Sequence, residues 1–121
     1  MQEQIRFKLS NDFLQQHIIN EASVNKELQF NLKLIESLLQ SYHYKARGRV
    51  FDVAIQNDSV ELLNQDMAKV LVIYSVGQFN ACADLDFNER TSMEMLVDID
   101  KDVSEATLTG EFIPEREPDE I

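Results

Sequence analysis

The sequence predicts an α+β domain, with two N-terminal helices packed on one face of an antiparallel β-meander of about five strands. Apolar residues in the first third of the chain recur at helical spacing, whereas those after position 48 alternate with period two. With three glycines and two prolines, the chain also has little room for long irregular loops. Helices followed by hairpin-linked strands make an α+β arrangement rather than an alternating α/β one.

The opening MQEQIRFKLS alternates Ile5, Phe7 and Leu9 with Arg6 and Lys8, which is no signal-peptide core. Ser10 or Asn11 can cap FLQQHIINEA, whose Phe13, Leu14, Ile18, Ile19 and Ala22 share one helical face. Ser23 then caps a longer helix carrying Leu28, Leu32, Ile35, Leu39 and Tyr42. A strand signal competes over 27–35, where Leu28, Phe30, Leu32 and Leu34 alternate. The longer helical match and the Lys, Glu, Leu and Gln content favour helix.

RVFDVAIQ reads as a short strand with Phe51, Val53 and Ile55 on one side, and Asn57-Asp58 opens the turn after it. AKVLVIYSV is apolar on both faces, as a central strand is. QFNACADLDF sends Phe79, Ala81, Ala83, Leu85 and Phe87 one way, and TSMEMLVDID sends Met93, Met95, Val97 and Ile99 the same way. SEATLTGEF adds Ala106, Leu108 and Phe112 inward, with Glu105, Thr107, Thr109 and Glu111 outward. Asn88-Glu89-Arg90 and Lys101-Asp102 supply hairpin connections. Gly77 is either a tight turn or a bulge in one bent strand. The single domain spans 1–113. The remainder, PEREPDEI (114–121), has one apolar residue beside two prolines and reads as a disordered acidic tail.

The net charge of −11 is placed unevenly: residues 1–80 carry −1 and residues 81–121 carry −10. If the period-two reading holds, Asp84, Asp86, Glu94, Asp98, Asp100, Glu105 and Glu111 leave the sheet opposite the apolar residues. The helices would cover the other side. Like charges facing each other on neighbouring strands cost up to about 1 kcal/mol a pair. Solvent relieves that cost, as would bases within the chain, and Lys45, Arg47 and Arg49 in YHYKARGR are the first candidates. Charge of this sign repels nucleic acid and anionic membranes and draws basic proteins. It also keeps a protein soluble, and that alone would account for it equally well. The expectation is therefore a basic protein partner, with no direct nucleic-acid binding and no membrane span, since no run nears ~18 apolar residues. A single cysteine, Cys82, cannot form an internal disulfide, which predicts a cytoplasmic setting.

Chemistry-bearing patterns are weak. DLDFNE places Asp84, Asp86 and Asn88 like the start of a calcium loop, but Glu89 stands where the loop needs Gly and Met95 where it needs Glu. DIDKDVSEATLT fails at Val103 and Thr109 in the same way, leaving at most a weak cation site at Asp98–Asp102. VGQFNACA after KVLVIYS lacks the glycine- and hydroxyl-rich turn that cradles phosphate. Cys82 has acidic neighbours, which oppose thiolate formation, and neither His17 nor His43 is near it in sequence. Met93 and Met95 fit a core better than a soft-metal site.

The reading that follows is a small acidic cytoplasmic binding protein, not an enzyme and without cofactor or metal. Its carboxylate face would dock a basic protein surface, as an inhibitor or immunity protein does over a nuclease-type surface. Alternate residues on a strand lie ~6.8 Å apart, so the carboxylates form an anionic array that can mimic nucleic acid. One alternative is a secretion-type chaperone or assembly adaptor using an apolar groove at Phe30 and Leu34. Another is a divalent-cation-dependent enzyme built on Asp84, Asp86, Asp98 and Asp100. The last is a structural subunit forming a homo-oligomer through an uncovered apolar face.

Overall fold

The computed structural model describes the backbone of residues 1–45, 48–80 and 85–114 and, outside 78–87, their side chains. The chain is α+β: three helices accompany a curled antiparallel sheet. In chain order the elements are β1 (Gln4–Lys8), α1 (Asn11–Leu14), α2 (Glu21–Phe30), α3 (Leu32–His43), β2 (Gly48–Ile55), β3 (Glu61–Asn64), β4 (Met67–Asn80), β5 (Leu85–Asp100) and β6 (Glu105–Thr109). The sheet order is β1-β6-β5-β4-β2, and β3 also pairs with β4. No described helix is long and apolar enough to cross a membrane.

The alternation of Ile5, Phe7 and Leu9 belongs to a strand absent from the expected meander. β1 pairs antiparallel with β6, from Gln4↔Thr109 to Lys8↔Glu105, and buries Phe7. Ser10 then caps α1 as expected, its Oγ accepting the Phe13 N–H at 3.3 Å.

The helix expected over 13–22 stops after one turn, at Leu14. Ile18 is left 72% exposed while Ile19 is buried, because the chain turns and starts a fresh helix at Asn20. Asn20, not Ser23, is that cap. Its Oδ1 accepts the Ser23 N–H at 2.8 Å, and Ser23 Oγ accepts the Asn20 N–H at 3.1 Å, a reciprocal box that satisfies two otherwise orphaned donors.

Residues 27–35 are helical on both sides of a break, so the strand alternative is excluded. Asn31 leaves helical geometry (φ −117°, ψ 25°), and its side-chain amide donates to the Glu27 carbonyl at 2.8 Å. Leu28 and Ile35 are both fully buried, whereas Phe30 is 65% exposed. Burial seven residues apart is a helical period, not a strand's.

The meander also differs from expectation. QFNACADLDF is no separate strand: 78–80 end β4, 85–87 begin β5, and 81–84 lie outside the described residues. β4 and β5 pair without a shift from Met67↔Asp98 to Asn80↔Leu85, so Gly77 is neither turn nor bulge. Asn88-Glu89-Arg90, expected as a hairpin loop, lies inside β5 opposite Ser75–Gly77. The odd-position alternation runs through it unbroken, which marks one long strand. On the far side of β4, β2 and the unforeseen β3 share one edge. Where they part, Ser59 Oγ accepts the Leu71 N–H at 3.2 Å and donates to its carbonyl at 3.3 Å, replacing a ladder rung.

One apolar cluster unites strands and helices. It takes Ala68, Val70, Val72 and Tyr74 from β4, and Met93, Met95, Val97 and Ile99 from β5. Ala106 and Leu108 of β6 join Val24, Leu28, Ile35, Leu38 and Leu39 of the helices in the same cluster. Each large side chain buried there contributes about 1.5–3 kcal/mol. Phe112, expected inside, is 67% exposed: β6 ends at Thr109 and the chain leaves the ladder beyond it. The expected burial of Phe79, Leu85 and Phe87 falls outside the described side chains.

Candidate functional site

Strand pairing places residues on faces, and burial then says which face is open. On β4 the even positions from Ala68 to Tyr74 are buried, and on β5 the odd positions from Met93 to Ile99. The opposite parity forms the outer face. Glu94, Asp98 and Asp100 stand there, all exposed, and the half-buried Glu105 lies directly across from Asp100. These four carboxylates thus share one surface, as the alternation predicts. Asp86 lies on β5 opposite Phe79, with its side chain outside the described set, and Asp84 lies outside the described residues.

Glu111 behaves differently from the rest. It follows β6, and its Oε2 accepts the backbone N–H of Glu94 at 2.8 Å. Pairing between β5 and β6 ends at Leu96↔Thr109, so Glu94 is the first edge-facing residue beyond the last rung. The carboxylate stands where the next residue of a strand would offer its carbonyl. One of its oxygens is thus engaged within the protein.

Of the bases expected to neutralise these acids, Arg49 is remote from the cluster. Arg49 pairs opposite Gly77 on β2, at the far edge of the sheet and the far end from Asp98 and Asp100. Arg47 lies outside the described residues, and Lys45 is exposed in the turn after α3. β1 also brings bases near the carboxylates: Lys8 lies across from Glu105 and Arg6 across from Thr107. The period-two pattern of IRFKL was the available signal. Lys69 also lies on this face, but it pairs with Glu61 at 3.6 Å.

Between the acids and the far edge runs an apolar strip not among the expected site residues. Leu71 and Ile73 of β4 are half-buried on the outer face, opposite Glu94 and Ser92, and Leu96 of β5 is 38% exposed opposite Lys69. The signal was present in AKVLVIYSV, apolar at odd as well as even positions. A central strand covered on both sides would bury both sets. Here one set stays partly open.

A polar seam crosses the core at the end of α3. His43 Nε2 and Tyr74 Oη are 2.9 Å apart, with the rings edge-to-face at 5.4 Å. Burial lowers the His43 pKa, opposed by the charge of Glu89, and raises that of Tyr74 to about 12. Tyr42 Oη accepts the Glu3 N–H at 2.9 Å and donates to the Glu111 carbonyl at 2.8 Å, and burial raises its pKa as well. These groups are held in their neutral forms and tie α3 to both ends of the chain, which is structural work.

Asp66, Asp98, Asp100 and Asp102 rim a shallow depression at the β5–β6 turn. Asp100 Oδ1 is occupied by the Asp102 N–H at 3.0 Å, as in a polar turn. Among the described residues no three His, Cys, Asp or Glu side chains converge as metal ligands would. Cys82 lies outside the described residues, and His17 is exposed on the turn after α1. Comparison with protein-family models, with curated proteins and with solved structures found no match to this chain.

Proposed function

We propose that this chain is a small, acidic, cytoplasmic binding protein, not an enzyme, whose open sheet face docks a basic protein surface. In this reading the helices lie over the buried side of the sheet. The observation that carries it is the outer face itself: Glu94, Asp98, Asp100 and Glu105 beside the partly open Leu71, Ile73 and Leu96. Carboxylates alone would serve solubility. An apolar strip next to them adds area that gains from being covered, about 25 cal/mol per Å², and a partner with bases around an apolar centre meets both. An inhibitor or immunity-type protein masking a cationic, nucleic-acid-binding surface is the most concrete form.

The test is a Glu94→Gln, Asp98→Asn, Asp100→Asn variant, assayed for binding to poly-L-lysine and to a panel of purified basic ribonucleases at two ionic strengths. Docking requires weaker binding, chiefly through a slower on-rate, with a flatter salt dependence and an unchanged or higher melting temperature. Equal affinity for wild type and variant at both ionic strengths refutes it. A second reading, an assembly adaptor or secretion-type chaperone, draws on Phe30 and Leu34, which are 65% and 41% exposed. Substituting those two with Ser would then abolish binding while the carboxylate variant retained it.

A further inference from the structure

Among the described residues the sheet has three stretches of edge, and two of them are blunted. The β1 edge is five residues long and carries Arg6 and Lys8. The β2–β3 edge is broken by a bulge at Asp52, where φ is 52°, and by the turn at 56–60. Short charged strands and bulges are how proteins keep edges from pairing. The third stretch, residues 88–94 of β5, has β4 on one side and, among the described residues, no strand on the other. It has no proline, and its register with β4 never shifts.

Two hydrogen bonds fix which backbone groups face that edge. Ile99 donates to the Asp66 carbonyl on the β4 side at 2.8 Å, and Glu94 donates away from β4, to Glu111 Oε2. Alternate residues of a strand point their N–H and C=O groups the same way. Asn88, Arg90, Ser92 and Glu94 therefore all present theirs outward.

We propose that this edge pairs with the same edge of a second copy of the chain, in an antiparallel two-fold ladder centred on Ser92. The register follows from the side chains. Centring on Arg90 or on Glu94 sets like charges face to face, which is destabilising. Centring on Thr91 or Met93 brings no charges of opposite sign together. Centring on Ser92 sets Arg90 of each copy across from Glu94 of the other, twice, with the two Ser92 hydroxyls meeting on the axis. Thr91 then faces Met93 of the second copy on the buried side. Arg90 Nη1 donates to the Asp52 carbonyl at 2.7 Å and to Ser75 Oγ at 3.0 Å, both on the β4 side, so pairing requires its side chain to leave them and turn to the open edge. The Glu111 carboxylate gives up the Glu94 N–H to the incoming carbonyl.

Such a two-fold axis runs through the sheet, so both outer faces stay on one side and their carboxylates join into a single surface. Repulsion between two chains of net charge −11 is screened beyond ~8 Å at physiological ionic strength. A five-residue ladder is small beside the ~1,000 Å² of a strong interface. The association is accordingly weak and concentration-dependent.

Sedimentation equilibrium from about 10 µM to 1 mM in 0.15 M salt tests this. Wild type is expected to dimerise within that range. Arg90→Glu and Glu94→Arg should each weaken the dimer by about tenfold or more, and the double charge swap should restore it to within about threefold. Ser92→Pro provides a check that spares the fold, because the Ser92 N–H faces the open edge and takes no part in pairing with β4. It should keep the melting temperature and abolish the dimer. A wild type that stays monomeric throughout overturns the proposal. So does a dimer indifferent to folded Ser92→Pro or to the single reversals, and so does a double swap that restores nothing.

Discussion

Glu27 is the only charged side chain among the buried residues of the described core, 4% exposed on α2, and its removal tests how the N-terminal corner is held. Its Oε1 accepts the Ser10 N–H at 2.8 Å and its Oε2 accepts the Ser10 hydroxyl at 2.7 Å. The same hydroxyl caps α1, so one carboxylate joins α2 to the junction of β1 and α1. The surroundings are apolar, with Phe7, Leu9, Phe13, Val24 and Leu28 lining the same small space. Hydrogen bonds to a charged group contribute about 1.5–3 kcal/mol each, and truncation leaves the Ser10 donors unpaired. The desolvation cost of the carboxylate disappears at the same time, which offsets part of the loss. Glu27→Ala should therefore cost about 3 kcal/mol, or roughly 10–15 °C in Tm for a domain of this size. Glu27→Gln keeps Oε1 for the Ser10 N–H and turns its amide toward a hydroxyl that can rotate, so it should cost only about 1 kcal/mol. Urea denaturation and thermal circular dichroism give both values. A loss below about 0.5 kcal/mol for Glu27→Ala would refute the anchoring role, and a Gln variant as damaged as Ala would refute its geometric basis.

The buried phenol of Tyr74 predicts alkaline sensitivity. Its folded pKa of about 12 lies above the unfolded value near 10. Its contribution is therefore intact below pH 10 and is lost as pH rises from about 10 to 12, up to about 2–3 kcal/mol. Urea midpoints between pH 8 and 12 should fall for wild type and fall less steeply for Tyr74→Phe, which has no proton to lose there. Gly110→Ala should cost about 1–3 kcal/mol by crowding. The new Cβ would sit 2.5 Å from Tyr42 Oη and 2.9 Å from two ring atoms, and both hydrogen bonds of that hydroxyl resist its moving aside. Urea denaturation of the folded variant measures the loss.

The strand half of the fold was legible because one face of each strand is buried, and burial writes itself into the sequence with period two. Met93, Met95, Val97 and Ile99 alternate with Glu94, Asp98 and Asp100, and the structure keeps that division. Boundaries were less legible. Asn88-Glu89-Arg90 is polar, so it reads as a loop, yet a long hairpin extending past its neighbours carries polar residues without turning. The first helix failed for a local reason: Asn20 and Ser23 cap each other reciprocally, and that pairing outcompetes continuation of α1. The site was half legible. Parity located the carboxylates, but bases near them also came from β1, whose partner strand lies at the other end of the chain, and no local pattern reports so distant a pairing.

That pairing has a kinetic meaning. β1 meets β6 through Gln4↔Thr109 and Lys8↔Glu105, contacts spanning about 100 residues of chain, and non-local ladders of this kind slow folding toward the millisecond-to-second range. During synthesis, Phe7 and Leu9 emerge about 100 residues before Ala106 and Leu108, with which they share one core cluster. Until then the early strand is an apolar segment with no sheet to join, and α2, α3 and the β4–β5 hairpin are the pieces able to organise without it. The closing of β1 onto β6 is thus the step at which a nascent chain becomes a sealed domain, and a pause in translation before residue 105 would prolong the interval in which it is open to misassembly.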